Sequence, residues 1–95
     1  MWILRSTDEL KPYTLRLSQG AKKTLGRGLR SDFVVDATLV SKIHCYLSAS
    51  SNELVVEDLS STNGTFVNEH RIKKSQLRVG DKLRLGQIEL SVSKE

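Results

Sequence analysis

The sequence predicts an all-β sandwich, and three observations carry that expectation. Apolar residues recur at every second position through most of the chain. Short apolar and β-branched runs are separated by turn residues at regular spacing, and no window of helical length carries a 3.6-residue apolar stripe. Alternation of this kind buries one face of a strand and wets the other, and many short strands of this type close into two packed sheets.

Taken in order, Trp2 to Arg5 is the first strand candidate, and Pro12 ends the connection that follows it. Tyr13, Leu15 and Leu17 then alternate with Thr14, Arg16 and Ser18. Lys22 to Leu25 and Phe33 to Val35 come next. Cys45, Leu47 and Ala49 alternate with His44, Tyr46 and Ser48, and Leu54 to Glu57 forms another apolar run. Phe66-Val67 and a short piece near Arg71-Ile72 precede two more alternating segments, Lys82 to Leu85 and Ile88 to Ser93. Turn signals fall between them at Gly20, Ser31-Asp32, Ser50-Ser51-Asn52, Asn63-Gly64, Asn68-Glu69-His70, Gly80-Asp81 and Gly86. Asn63-Gly64 reads as a tight turn, because both residues tolerate positive φ.

With 95 residues the chain holds one domain, with room for one core and little for a deep enzyme pocket. Cys45 has no partner for an internal disulfide, and the start shows no charged-then-apolar leader, so the chain reads as intracellular and reduced. No apolar run approaches the roughly 20 residues a membrane helix needs. Fifteen Lys and Arg against eleven Asp and Glu give a net charge of +4, a modest bias compatible with a phosphate-bearing partner. The basic residues are dispersed (Lys22, Arg30, Lys73 and Arg78 among them), with no run of the kind that marks a nucleic-acid tail.

Three segments hold polar residues that a sandwich core does not need: Leu25-Gly26-Arg27-Gly28, Val40-Ser41-Lys42-Ile43-His44, and Asp58-Leu59-Ser60-Ser61-Thr62-Asn63-Gly64-Thr65. Arg27 is a guanidinium between two glycines, suited to two-pronged recognition of phosphate. Ser41 and Thr62 add hydroxyls and Lys42 a mobile ammonium. Asn63 adds a carboxamide that can pair with a peptide backbone through both donor and acceptor. Loops gather at the ends of a sandwich, so residues distant in sequence can form one site for a phosphate on an extended chain. The plainer alternative for the third segment is a solvated hairpin connection.

Gly-Arg, then Ser-x-x-His, then Ser-Thr-Asn-Gly-Thr, in this order and at these spacings, resembles the forkhead-associated (FHA) domain family across essentially the whole chain. The resemblance implies a β-sandwich of about eleven strands that binds phosphothreonine peptides through loops at one end, without catalysis, cofactor or metal. It implies that Arg27 and Ser41 contact the phosphate and that Lys42 is the basic residue beside it. Thr62 is implied in the phosphate region, and Asn63 on the peptide backbone. Gly26, His44 and Gly64 are implied as scaffold: Gly26 freeing the backbone before Arg27, Gly64 closing the turn, and His44 a buried imidazole tying the Ser41 loop to its neighbours. The partner implied is a phosphothreonine-containing protein or peptide, with phosphothreonine preferred to phosphoserine through an apolar niche for its methyl group.

Two departures and one further likeness complete the comparison. Many members carry Asn-Gly where this chain has Asn68-Glu69, so a different turn is expected there. Leu39 lies near the position that selects the third residue after the phosphothreonine, and its apolar side chain suggests an apolar residue there. The Met1-Trp2 start is similar to members, nibrin among them, whose domain sits at the N-terminus of a longer protein. That likeness implies a single FHA domain over residues 1–95 excised from such a protein, in the DNA-damage or cell-cycle signalling common in the family and hence in the nucleus.

Other readings are weaker. Ser41, His44 and Asp58 could be arranged as a hydrolase triad, but there is no G-x-S-x-G elbow, and Ser and His lie three residues apart. Gly26 to Ser31 lacks the last glycine of a dinucleotide fingerprint and a following helix. His44, Cys45 and His70 lack metal-ligand spacing. Two rivals stay open: a small basic β domain that binds nucleic acid, which needs exposed aromatics among Trp2, Tyr13, Phe33, Tyr46 and Phe66, and an interaction scaffold whose phosphate site is vestigial.

Overall fold

The computed structural model describes all residues, 1–95, and consists of eleven strands. They are β1 (Trp2–Ser6), β2 (Thr14–Leu17), β3 (Lys22–Gly26), β4 (Phe33–Val34), β5 (Cys45–Ala49), β6 (Leu54–Asp58), β7 (Thr65–Val67), β8 (His70–Ile72), β9 (Lys74–Leu77), β10 (Lys82–Leu85) and β11 (Ile88–Lys94). Six form one sheet in the order β2-β1-β11-β10-β7-β8, and five form the other in the order β4-β3-β5-β6-β9. All pairings are antiparallel except β3 with the short β4. The predicted all-β sandwich is the fold that is formed.

Period-two patterning places Leu15, Leu17, Leu47, Leu83, Leu85, Leu90 and Val92 in a core shared by both sheets, and each fully buried Leu contributes about 1.5–3 kcal/mol. Cys45 lies within that core. Burial disfavours its thiolate, the charge of Asp58 adds to the effect, and the pKa is pushed up to about 12.

Three local features differ from the sequence reading. β9 carries no strand signal of its own: Lys74-Ser75-Gln76-Leu77 has one apolar residue, and only its place beside β6, with Leu77 opposite Leu54, makes it a strand. Asn68 and Glu69 have φ of 48° and 69°, so the two-residue turn has the backbone of an Asn-Gly hairpin rather than a different one. Glu69 is held in that unfavourable region partly by a bidentate pair with Arg84 (3.1 and 3.2 Å), the chain's one salt bridge. At Asn63-Gly64, by contrast, only Gly64 has positive φ (92°), and the other such residue in that loop is Ser60 (56°).

Candidate functional site

The loops after β3, before β5 and after β6 meet because the strands' hydrogen-bonding continues beyond their ends. The Arg27 and Gly28 N–H groups donate to the Ser41 and Lys42 carbonyls (2.9 and 3.0 Å), and the His44 N–H donates to Leu25 O (2.8 Å). Leu59 N–H donates to His44 O (3.0 Å), which brings the start of the third loop alongside. Gly26 is demanded here by space and not, as the sequence suggested, by an unusual backbone angle. A Cβ on Gly26 would stand 2.1 Å from the Lys42 carbonyl oxygen and 2.6 Å from Ser31 Oγ. The buried Ser31 hydroxyl donates to that same carbonyl (2.8 Å), a support the sequence did not reveal.

His44 is fully buried and joins two of the loops. Its Nδ1 accepts the Ser41 N–H (3.0 Å), so the ring proton resides on Nε2, which donates to Gly64 O (2.8 Å). The Ser60–Gly64 loop is folded around Asp58. Asp58 Oδ1 accepts from the hydroxyls of Ser61 and Thr65, and Oδ2 accepts the Ser61 N–H. Desolvation pushes the Asp58 pKa up, but the two hydroxyls and the amide outweigh it and hold the carboxyl below its ordinary value. Gly64 N–H donates to Ser61 Oγ (3.0 Å), closing the loop.

Five of the expected side chains sit on these interlocked loops. Arg27 spends one donor: Nε–H donates to Val40 O (3.1 Å), and the terminal NH₂ groups stay unpaired. Ser41 Oγ accepts the Thr62 N–H (3.0 Å), leaving its own O–H free. The Asn63 amide donates once, to Leu39 O (3.1 Å), so one N–H and the carbonyl oxygen remain. The Thr62 hydroxyl and the Lys42 ammonium are exposed and unpaired within the chain. Arg27 and Thr62 thus attach to successive residues of one loop, Val40 and Ser41. The arrangement offers several hydrogen-bond donors and two cations to an anion, with a carboxamide at its side.

The same geometry removes a hydrolase triad. Ser41 meets His44 through its backbone N–H rather than its hydroxyl, the other ring nitrogen faces a carbonyl, and Asp58 is bound to Ser61 and Thr65. The nucleic-acid reading gains no support from the aromatics, since Trp2 is buried and the other four are half-buried. Phe66 is covered on one face by Arg84, whose guanidinium lies 4.1 Å from the ring centre.

The model of the FHA domain family matches residues 23–86, which include all three loops. This chain belongs to the FHA domain family. It is 35% identical over 88 residues to the FHA domain-containing protein FhaA of Mycobacterium tuberculosis, covering 83% of this chain and 17% of FhaA. It is 34% identical over 67 residues to the oxoglutarate dehydrogenase inhibitor of Corynebacterium efficiens, covering 70% of this chain and 47% of the inhibitor. The chain therefore spans less than half the length of these relatives. Among solved structures, one described as concerning phosphothreonine-dependent FHA domain interactions superposes with a TM-score of 0.90 at 33% identity, covering 99% of this chain and 96% of the other. As an FHA domain the chain is a binding module and not an enzyme. These relatives are bacterial proteins, the glycogen accumulation regulator GarA of Mycobacterium tuberculosis among them, which replaces the expected likeness to nibrin and leaves a DNA-damage or cell-cycle setting and a nucleus without support.

Proposed function

We propose that the domain binds a phosphothreonine-containing segment of a protein partner through its three interlocked loops. Arg27, Ser41 and Lys42 take the phosphate, Thr62 lies beside it, and Asn63 pairs with the partner's backbone. Gly26, His44 and Gly64 hold these side chains in place. The observation that supports the reading is that the contact residues keep unused hydrogen-bonding capacity on loops that are tied to one another by hydrogen bonds from the same residues. A phosphate of charge about −1.5 to −2 suits two cations and several donors. Hydrogen bonds to charged groups contribute on the order of 1.5–3 kcal/mol each, and after the ordering of an extended peptide a micromolar affinity, about −8 kcal/mol, is expected.

The relatives support it: a solved FhaA FHA domain is complexed with the intracellular domain of Rv3910, and two others are an oxoglutarate dehydrogenase inhibitor and a glycogen accumulation regulator. We therefore place the partner inside a bacterial cell. The test is a titration with a phosphothreonine peptide, its unphosphorylated twin and an oligonucleotide; only the first is expected to bind. Arg27→Ala is expected to weaken that binding at least about tenfold with the melting temperature nearly unchanged. A loss below about threefold would take Arg27 out of its role.

A further inference from the structure

The loop that presents Thr62 and Asn63 has a second side. After β8 the chain crosses from the edge of the six-stranded sheet to β9 at the edge of the five-stranded sheet, passing through Lys73. Lys73 is pinned there by the Asp58 N–H, which donates to its carbonyl (2.7 Å). The crossing leaves an open cleft lined by Glu57, Asp58, Ser60, Ser61, Arg71, Lys73 and Lys74. Arg71 is packed against the loop itself: a Cβ on Gly64 would stand 2.7 Å from its Nε.

We propose that this cleft is a second anion site that takes another phosphate or an acidic side chain of the same phosphorylated partner. Charge is the first argument. Three cations face two carboxylates, and none of the three is in an ion pair, because the chain's one salt bridge joins Arg84 and Glu69 elsewhere. The carboxylates do not close the site. Asp58 has both oxygens engaged by Ser61 and Thr65 within its own loop, and Glu57, although opposite Lys74 in register, forms no ion pair with it.

The second argument is backbone geometry. Ser60 is exposed and held at φ 56°, an uncommon conformation for serine, and its hydroxyl has no partner within the chain. The cleft therefore offers a free hydroxyl beside the cations, as the phosphate side of the loop does with Ser41 and Thr62. One short loop thus separates two donor-rich surfaces, and a partner crossing it can place one anion on each.

This inference rests on the proposed phosphothreonine site, and the experiment separates the two. Peptides carrying the phosphothreonine alone, with a phosphoserine scanned along both flanks, or with Asp or Glu in the same positions, are titrated against the native domain and against a Lys73→Ala/Lys74→Ala variant. Arg71 is left in place because it packs on Gly64. At one spacing the second phosphate is expected to raise affinity about fivefold to tenfold, an increment that shrinks with salt and is lost in the variant. The singly phosphorylated peptide is expected to bind both proteins alike. An equal gain from Asp or Glu identifies carboxylates as the ligand; a gain from phosphate alone identifies a second phosphorylated residue. Binding of the single phosphopeptide without any increment, or an increment that survives in the variant, overturns the second site only. Failure of every phosphopeptide to bind overturns both.

Discussion

Replacing His44 by alanine is expected to cost the domain a substantial part of its stability. The ring is fully buried and serves as acceptor for the Ser41 N–H and donor to Gly64 O, at 3.0 and 2.8 Å. Alanine leaves both groups without a partner at about 1–3 kcal/mol each, together about 2–6 kcal/mol, before any term for the void. A domain of this size has roughly 5–15 kcal/mol in total, and each 1 kcal/mol shifts its melting temperature by about 4–8 °C. A fall of at least roughly 10 °C should follow in a thermal melt read by circular dichroism. His44→Gln should fall in between, since one carboxamide can serve either Ser41 or Gly64 but does not reproduce the ring's span. A His44→Ala melt within about 3 °C of the native one would show that neither bond stabilises the fold.

Three further outcomes are expected. Gly26→Ala should unfold the domain or sharply lower its melting temperature, because the new methyl meets the Lys42 carbonyl backbone, which cannot move without breaking the Gly28 pairing; a soluble variant melting like the native protein would refute this. The folded-state pKa of Asp58 lies below its unfolded value, so its stabilisation is full above the unfolded pKa of about 3.9 and is lost as pH falls through the lower, folded one. Acid unfolding of Asp58→Asn should accordingly be less steep there, and an identical acid limb would argue against that carboxylate's role. Cys45, with its pKa pushed up to about 12 and no exposed surface, should resist thiol reagents at neutral pH until the chain is denatured; modification of the native protein at the rate of a free thiol would contradict its burial.

How much was legible differs from residue to residue. The alternation from Tyr13 to Ser18 or from Ile88 to Ser93 is a property of neighbouring residues, so it could be read before any partner strand was known. β9 could not, because its pairing with β6 comes from residues some distance along the chain and its own sequence carries a single apolar side chain. The Asn68-Glu69 turn misled in the same way: glutamate disfavours positive φ, and the compensating Arg84 comes from β10.

In the site, the residue types themselves announced an anion and a peptide backbone: an arginine between glycines, spaced hydroxyls and an asparagine. They are chemical facts of the chain and need no coordinates. What the chain order could not disclose is which half of each side chain is already spent. Ser41 gives its lone pair to Thr62 N–H and keeps its proton, Arg27 gives one N–H to Val40 and keeps the others, and Asp58 turns inward while Lys73 and Lys74 stay unpaired. Composition and local periodicity determined the sheet-forming segments and the chemistry available. The meeting of loops from separate strands decided the rest, because a hydrogen bond forms only where two groups are within about 3 Å of each other.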